Sequence, residues 1–265
     1  MKRIILILFI IFLTIILIFV FNKKDKITAI NDFQKIPFYK KELQKEYEIY
    51  KEQTGYNDKK VVLEVNIGIN KPFYVDTKPS INLNTNYILV NKYNYLKRDY
   101  VPENLVILDE YAKPGIRLNK EAYTLFKEMA NDALKEDLHL RIISAYRTYE
   151  YQENLYNSYL KYDPKDKVDT YSARPGYSEH QTGLVIDIDN TKYNYNLFHL
   201  TKEYNWMIKN AYKYGFILRY PKGKERITGY EYESWHYRYV GKLIAKYIYD
   251  NDITFEEYYY QFIDK

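Results

Sequence analysis

The chain of 265 residues contains no cysteine. That excludes disulfides, thiolate metal sites and a cysteine nucleophile. It also lacks a strong excess of one charge: 40 Lys and Arg face 35 Asp and Glu, for a formal +5. Residues 1–26 hold Lys2, Arg3, Lys23, Lys24 and Lys26 against Asp25, so they carry +4 and the remainder only +1. A body so evenly charged makes no electrostatic case for nucleic acid, and no such partner is expected. Internal repeats and low-complexity tracts are absent too. Histidine is scarce, at four residues. Tyrosine is the exception, at 34 residues; an A/T-rich coding bias explains it more simply than carbohydrate stacking.

One long apolar run is present. Residues 4–21 carry no charge, and as a helix they would span about 27 Å, close to the hydrocarbon core of a bilayer. The run ends Phe19, Val20, Phe21, Asn22, without the small residues of a signal-peptidase site. An uncleaved signal anchor over residues 1–26 is therefore expected, giving a single-pass protein of the cell membrane with its body outside. Lys23, Lys24 and Lys26 flank the far end and blur the charge rule for orientation.

Residues 27–58 read as a stalk; residues 39–53 in it have helical character but a thin apolar face. The globular part is expected over residues 59–265, beginning with a strand at residues 61–67 (VVLEVNI) and a second at residues 87–90 (YILV). About 200 residues suffice for one domain with a real core. Asn119 can cap a helix running to about Leu134. Residues 140–144 follow as a strand, and residues 149–162 are helical in pattern, with Pro164 beyond. Thr201 caps a further helix that stops at Gly215, and Thr254 with Glu257 forms a capping box for a last one. Helices precede the strands that bear the chemistry, which gives an α+β class with a small, mostly antiparallel sheet.

The chemistry is concentrated in three segments. Residues 178–188 (SEHQTGLVIDI) place His180 and Asp187 seven apart. Residues 184–188 read as a strand, so Leu184, Ile186 and Ile188 face the core while Val185, Asp187 and Asp189 face the other side. Thr182 and Gly183 supply the turn that brings His180 back over the strand. Residues 233–241 (ESWHYRYVG) add His236 with Glu233 three residues before it. Two imidazoles, a carboxylate and a nearby Glu are the parts of a catalytic zinc site, which takes three protein ligands and leaves a fourth position open. Asp189 stays a rival to Asp187, and Glu231 a substitute for Glu233. Residues 144–152 (SAYRTYEYQ) join a strand to a helix. Arg147 at that junction has a donor fork suited to a carboxylate or a developing oxyanion, and Gln152 can add a directed hydrogen bond. His139 and His199 have no comparable surroundings.

In this order, S-A-Y-R-T-x4-Q, S-x-H-Q-T-G-L-x-x-D-I and E-x-W-H-Y-R-Y-V-G resemble the zinc D-alanyl-D-alanine carboxypeptidases of the VanY type. The resemblance runs from about residue 59 to the C-terminus; residues 61–73 and 88–96 look like the N-terminal part of membrane-anchored members. It implies the small α+β fold shared with the hedgehog signalling domain. It also implies zinc on His180, Asp187 and His236, Glu233 as the base, and Arg147, Gln152 and Ser178 against the terminal residues of a peptidoglycan stem peptide. Ser234 stands where many members have Pro. A monomer is expected. The competing expectations are an endopeptidase of the same fold, cutting within the stem peptide or cross-bridge, and a binding domain that keeps the zinc fold without the chemistry.

Overall fold

A computed structural model describes Thr14, residues 33–190 and residues 195–264. Apart from Thr14, the apolar run at residues 4–21 lies outside the described residues. Among the described residues, no helix is long and apolar enough to cross a membrane. The chain divides into two compact units, Met1–Asn70 with Tyr260–Lys265, and Lys71–Tyr259.

The first unit is built on two helices, α1 (Gln44–Thr54) and α2 (Asp58–Ile67). Gly55 ends α1 in the left-handed region, and the Asn57 side chain caps α2 by accepting from Lys60 N at 3.0 Å. Phe33, Phe38, Tyr47, Tyr50, Val61, Val62 and Val65 form its core. The strand expected at residues 61–67 is thus a helix. Its β-branched run favours a strand by propensity, but Val61, Val62 and Val65 share one helical face, and packing that face on Tyr47 and Tyr50 overrides the preference. The stretch read as a stalk contributes α1 to this core.

The second unit opens with loops. Residues 87–90, expected as a strand, join no ladder among the described residues. Ile88, Leu89 and Val90 are nonetheless fully buried. Side chains serve their carbonyls instead: Arg238 Nη2 donates to Ile88 O at 2.9 Å and Ser80 Oγ to Leu89 O at 2.7 Å. A short antiparallel pair, β1 (Leu105–Ile107) and β2 (Arg117–Asn119), leads into α3 (Lys120–Leu134). Asn119 caps α3 through Glu121 N and Ala122 N.

Strand β3 (Arg141–Ser144) then gives way to α4 (Tyr149–Tyr159) and α5 (Lys165–Tyr171). Strand β4 (Val185–Asp189) and helix α6 (Lys202–Asn210) come next. The α6 cap is Thr201, whose side chain accepts from Tyr204 N at 3.1 Å. The last turns tighten to a 3-10 helix over Ala211–Tyr214 before Gly215 ends it at φ 86°. Strands β5 (Phe216–Leu218) and β6 (His236–Tyr239) precede α7 (Lys242–Asn251) and α8 (Phe255–Phe262). Thr254 and Glu257 make the reciprocal bonds of a capping box, 2.7 and 3.2 Å long.

The main sheet is antiparallel throughout, in the order β3-β4-β6-β5. Leu184, Ile186, Ile188, Tyr237 and Tyr239 turn to one face and pack on α3 residues such as Phe126 and Met129. The other face carries Asp187, His236 and Arg238. The pleat therefore separates an apolar core from a polar face.

Candidate metal centre

Sheet register sets the first two groups. Asp187 on β4 pairs directly with His236 on β6, so the two side chains rise from the same face as nearest neighbours. On its other side Asp187 pairs with Ser144, where a bulge between Ile142 and Ser144 re-aims the end of β3. His180 arrives from a 3-10 turn, Glu179–Thr182, closed by Gly183 at φ 69°. That positive φ is what favours glycine here, and a Cβ at Gly183 would also lie 2.7 Å from Leu105 Cδ2 and push that side chain aside.

One ligand atom from each of His180, Asp187 and His236 lies within 4.8 Å of the others. His180 Nε2 is 3.4 Å from Asp187 Oδ2, and His236 Nδ1 is 3.3 Å from Asp187 Oδ1. The imidazoles stand perpendicular, with centroids 5.1 Å apart. His180 Nδ1 sits 2.6 Å from Ala145 O, which makes that nitrogen the donor and leaves Nε2 with a lone pair facing the cluster. Asp189, the rival on the same face, falls outside this group.

The donor set fits zinc. Two imidazoles and a carboxylate are borderline-to-hard ligands of the type zinc takes, and all three are buried. Asp187 Oδ1 is buried without a hydrogen-bond partner, although it faces the ring of His236. A cation between the three would satisfy it.

Glu233 Oε2 lies 3.2 Å from His236 Nδ1, at the edge of the cluster. Burial pushes its carboxyl up, against the pull of His236. Glu231 is exposed and accepts from Thr170 Oγ1 at 2.7 Å. The two glutamates are therefore not equivalent, and only Glu233 stands against the ring of His236.

Charge is unevenly distributed over the imidazoles. Burial and Arg147 lower His180 to about 4. For His236 burial acts in the same direction, but Asp187, Glu179 and Glu233 raise it well above the usual histidine range. Burial also opposes charge on Asp187, yet His180, His236 and Arg147 hold it well below the usual carboxylate range.

The cluster forms part of the wall of a cavity of about 540 Å³, which Arg147, Gln152, Ser178, Tyr195, Tyr232, Glu233 and Trp235 also line. Arg147 is partly engaged: Nη2 donates to Asp187 Oδ2 at 2.7 Å, and Nε and Nη2 both reach Ser144 Oγ. Gln152 Nε2 donates to Ala173 O at 2.8 Å, which leaves Oε1 buried and without a partner. Ser178 is buried at the start of the 3-10 turn. Arg238, the other arginine of the three motifs, is fully buried, and Arg174, between the first two motifs, is tied to Asp169 at 2.7 Å, whereas the Arg147 side chain lines the cavity.

The sequence reading did not find the ion network behind the turn. Glu179 Oε1 accepts from Arg219 Nε at 2.9 Å and Arg238 Nη1 at 3.1 Å, and Arg219 also grips Glu256 with both terminal nitrogens. Burial would raise the Glu179 carboxyl, but Arg219 and Arg238 lower it to about 2. The only local signal was an acidic residue wedged between Ser178 and His180.

The sheet and its flanking helices have the α+β architecture of the hedgehog-like peptidase folds, and the His-Asp-His cluster is a donor set suited to zinc. Residues 115–242 match the family described as VanY, D-alanyl-D-alanine carboxypeptidase. YodJ of Bacillus subtilis (strain 168) is 45% identical over 181 residues, covering 64% of this chain and 66% of YodJ. The bifunctional D-Ala-D-Ala dipeptidase and D-Ala-D-Ala carboxypeptidase VanXYC of Enterococcus gallinarum is 33% identical over 64% of this chain and 92% of its own. Among solved structures, the LD-carboxypeptidase LdcB superposes with a TM-score of 0.67 at 42% identity, covering 71% of this chain and 91% of LdcB. The D,D-pentapeptidase VanY of a VanB-type resistance cassette, solved with Zn(II), gives 0.57 at 34% identity, covering 65% and 98%. The chain belongs to the VanY family of D-alanyl-D-alanine carboxypeptidases. It spans 66% of YodJ and 57% of the D-alanyl-D-alanine carboxypeptidase of Enterococcus faecium.

Proposed function

We propose that this chain is a zinc carboxypeptidase that releases the C-terminal D-alanine of peptidoglycan stem peptides. The observation that carries the reading is the meeting of His180, Asp187 and His236 on the wall of an open cavity with Glu233 Oε2 3.2 Å from one of them. In this reading His180 Nε2, His236 Nδ1 and the Asp187 carboxylate hold the metal. Zinc bound there supplies Lewis acidity and makes a water molecule nucleophilic near neutral pH. Glu233 takes a proton from the attacking water and delivers it to the leaving amine; its raised pKa suits both halves of that task. Arg147 binds the free carboxylate of the substrate, or the oxyanion that develops beside it. Gln152 Oε1 accepts a peptide N–H, and Ser178 holds the terminal residue.

The endopeptidase of the same fold, and a zinc-fold binding domain without catalysis, are set against this by one assay. Purified full-length chain is incubated with muropeptides ending in a tetra- or pentapeptide, and the products are read by mass spectrometry. Loss of a single alanine supports the carboxypeptidase; internal fragments, or no cleavage in the presence of zinc, overturn it. The likeness to LdcB, at higher identity than to VanY, favours a second reading in which the terminal D-alanine follows an L-configured centre. Preference for the tetrapeptide would bear that out.

We further propose that residues 4–21 hold the enzyme in the cell membrane with its catalytic unit outside, where this substrate lies, and that it acts as a monomer. The uncharged run and the absence of a cleavage site support the anchor. Cell fractionation with protease shaving tests it. A mature chain free in the medium and starting after about residue 22 would contradict it.

A further inference from the structure

The ring of His236 faces two ways. Nδ1 looks at Asp187 and Glu233, while Nε2 is buried and has no hydrogen-bond partner. On that side stands Glu179, whose Oε2 is also buried, also without a partner, and 3.9 Å from Nε2. A donor and an acceptor so placed are rarely both left unsatisfied in a folded protein. His180 offers the parallel: its outer nitrogen is already fixed on Ala145 O at 2.6 Å. His236 has no such carbonyl.

We infer that Glu179 is a positioning residue for the metal, accepting a hydrogen bond from His236 Nε2–H so that Nδ1 is held unprotonated toward the ion. The inference rests on the zinc reading of the site. Hydrogen-bond length requires the two atoms to approach by about 1 Å from their 3.9 Å separation. A carboxylate in this place fixes the tautomer and ring plane of a ligating histidine and raises its basicity. The rest of the network holds that carboxylate still. Arg219 and Arg238 bind Oε1, Glu256 balances Arg219, and the remaining Arg238 donors end on the carbonyls of Tyr239, Asn86 and Ile88. Oε1 serves the arginines and Oε2 serves the histidine. A glutamine cannot do both, because one of its ends is a donor.

The test is the zinc dissociation constant of the full chain, by competition with a chromophoric chelator, for wild type, Glu179→Gln and Glu256→Gln. Glu256→Gln perturbs the same arginine network without touching His236. Glu179→Gln should weaken zinc binding by roughly ten- to a hundred-fold, and Glu256→Gln should leave it near wild type. Equal loss in both variants would make Glu179 merely structural, and no loss in Glu179→Gln would also overturn the inference. Should Glu179→Gln fail to fold, nitrogen-15 NMR of zinc-loaded wild type decides. A slowly exchanging proton on His236 Nε2 supports the hydrogen bond, and its absence rejects it. Wild type that binds no zinc would sink the zinc reading itself, and this inference with it.

Discussion

Two buried polar clusters meet at Glu179 and His180, and they are finished differently. Behind the turn, Glu179 and Glu256 face Arg219 and Arg238; each guanidinium is gripped by a carboxylate, at 2.5 to 3.1 Å. In front of it, His180, Asp187 and His236 converge, yet Asp187 Oδ1 has no hydrogen-bond partner. Protein atoms complete the first cluster except at Glu179 Oε2, which turns toward His236. The second is completed only when a cation is added. Buried charge is costly unless paired, so the contrast separates polar groups that hold the fold from polar groups kept for a ligand.

The largest effect should follow from taking the cation away. Chelator-stripped protein should lose peptidase activity, regain it with zinc, and keep its secondary structure by circular dichroism, because the ion network behind the turn is intact. Zinc at about a thousand times its dissociation constant should stabilise the fold by about 4 kcal/mol. A stripped protein that still cleaves would erase the contrast between the clusters. Next comes Glu233→Gln, which should bind zinc normally and lower kcat by roughly 10²–10⁴. If Glu231→Gln shows that loss instead, the base lies at the rim and not against His236.

The two clusters also differ in how far the sequence betrays them. The front one is written into short segments. Strand alternation puts Asp187 opposite Ile186 and Ile188, the Gly183 turn returns His180, and Glu233 precedes His236 by three. The facing of Asp187 and His236 depends on the pairing of β4 with β6, which no local pattern states, but shared motif order compensates. The rear cluster has no such writing. Arg219 lies 40 residues from Glu179 and 37 from Glu256, and it reads as an ordinary solvated charge until the fold closes. Two apolar stretches misled for a similar reason. The run at residues 61–67 is helical because tertiary packing outweighs β-propensity, and residues 87–90 are buried without a ladder because Arg238 and Ser80 satisfy their carbonyls. The cap at Asn119 and the capping box at Thr254 were readable because both are settled within one turn.

Arg147 stands between the clusters in character: it is tied to Asp187 and Ser144 but open to the cavity. A charge-assisted bond to a substrate carboxylate contributes about 1.5–3 kcal/mol. Amidating the C-terminus of the substrate should then lower kcat/KM by roughly ten- to a hundred-fold. Arg147→Ala should lose a similar factor on the free acid and little more on the amide. If the two losses simply multiply, Arg147 serves the oxyanion or braces Asp187, and the carboxylate anchor lies elsewhere in the cavity.

The smallest effect is the most direct measure of the contrast, because the clusters respond to pH in different windows. Glu179 is held at about 2 by Arg219 and Arg238 despite its burial. A depressed carboxyl stabilises the fold above its unfolded value of about 4.3, and that stabilisation is lost as pH falls toward 2. Glu179 is therefore silent between pH 7 and 9. His236 behaves oppositely: Asp187, Glu179 and Glu233 overcome its burial and raise it. In chelator-stripped protein its stabilisation is full below the unfolded value of about 6.5 and is lost as pH rises through the folded one. His180, lowered to about 4, has finished titrating before this window opens. Stripped protein should thus lose thermal stability from pH 7 to 9, by no more than a few degrees. Zinc-loaded protein should not follow it, because metal replaces that proton. Binding itself should then release a proton, and zinc affinity should fall by up to about tenfold for each pH unit below the His236 value. Melting curves of both forms across the window, with proton release measured by calorimetry in two buffers, would check this. A stripped protein whose Tm rises from pH 7 to 9 would mean that His236 is neutral, and that the front cluster waits for its cation without a proton in its place.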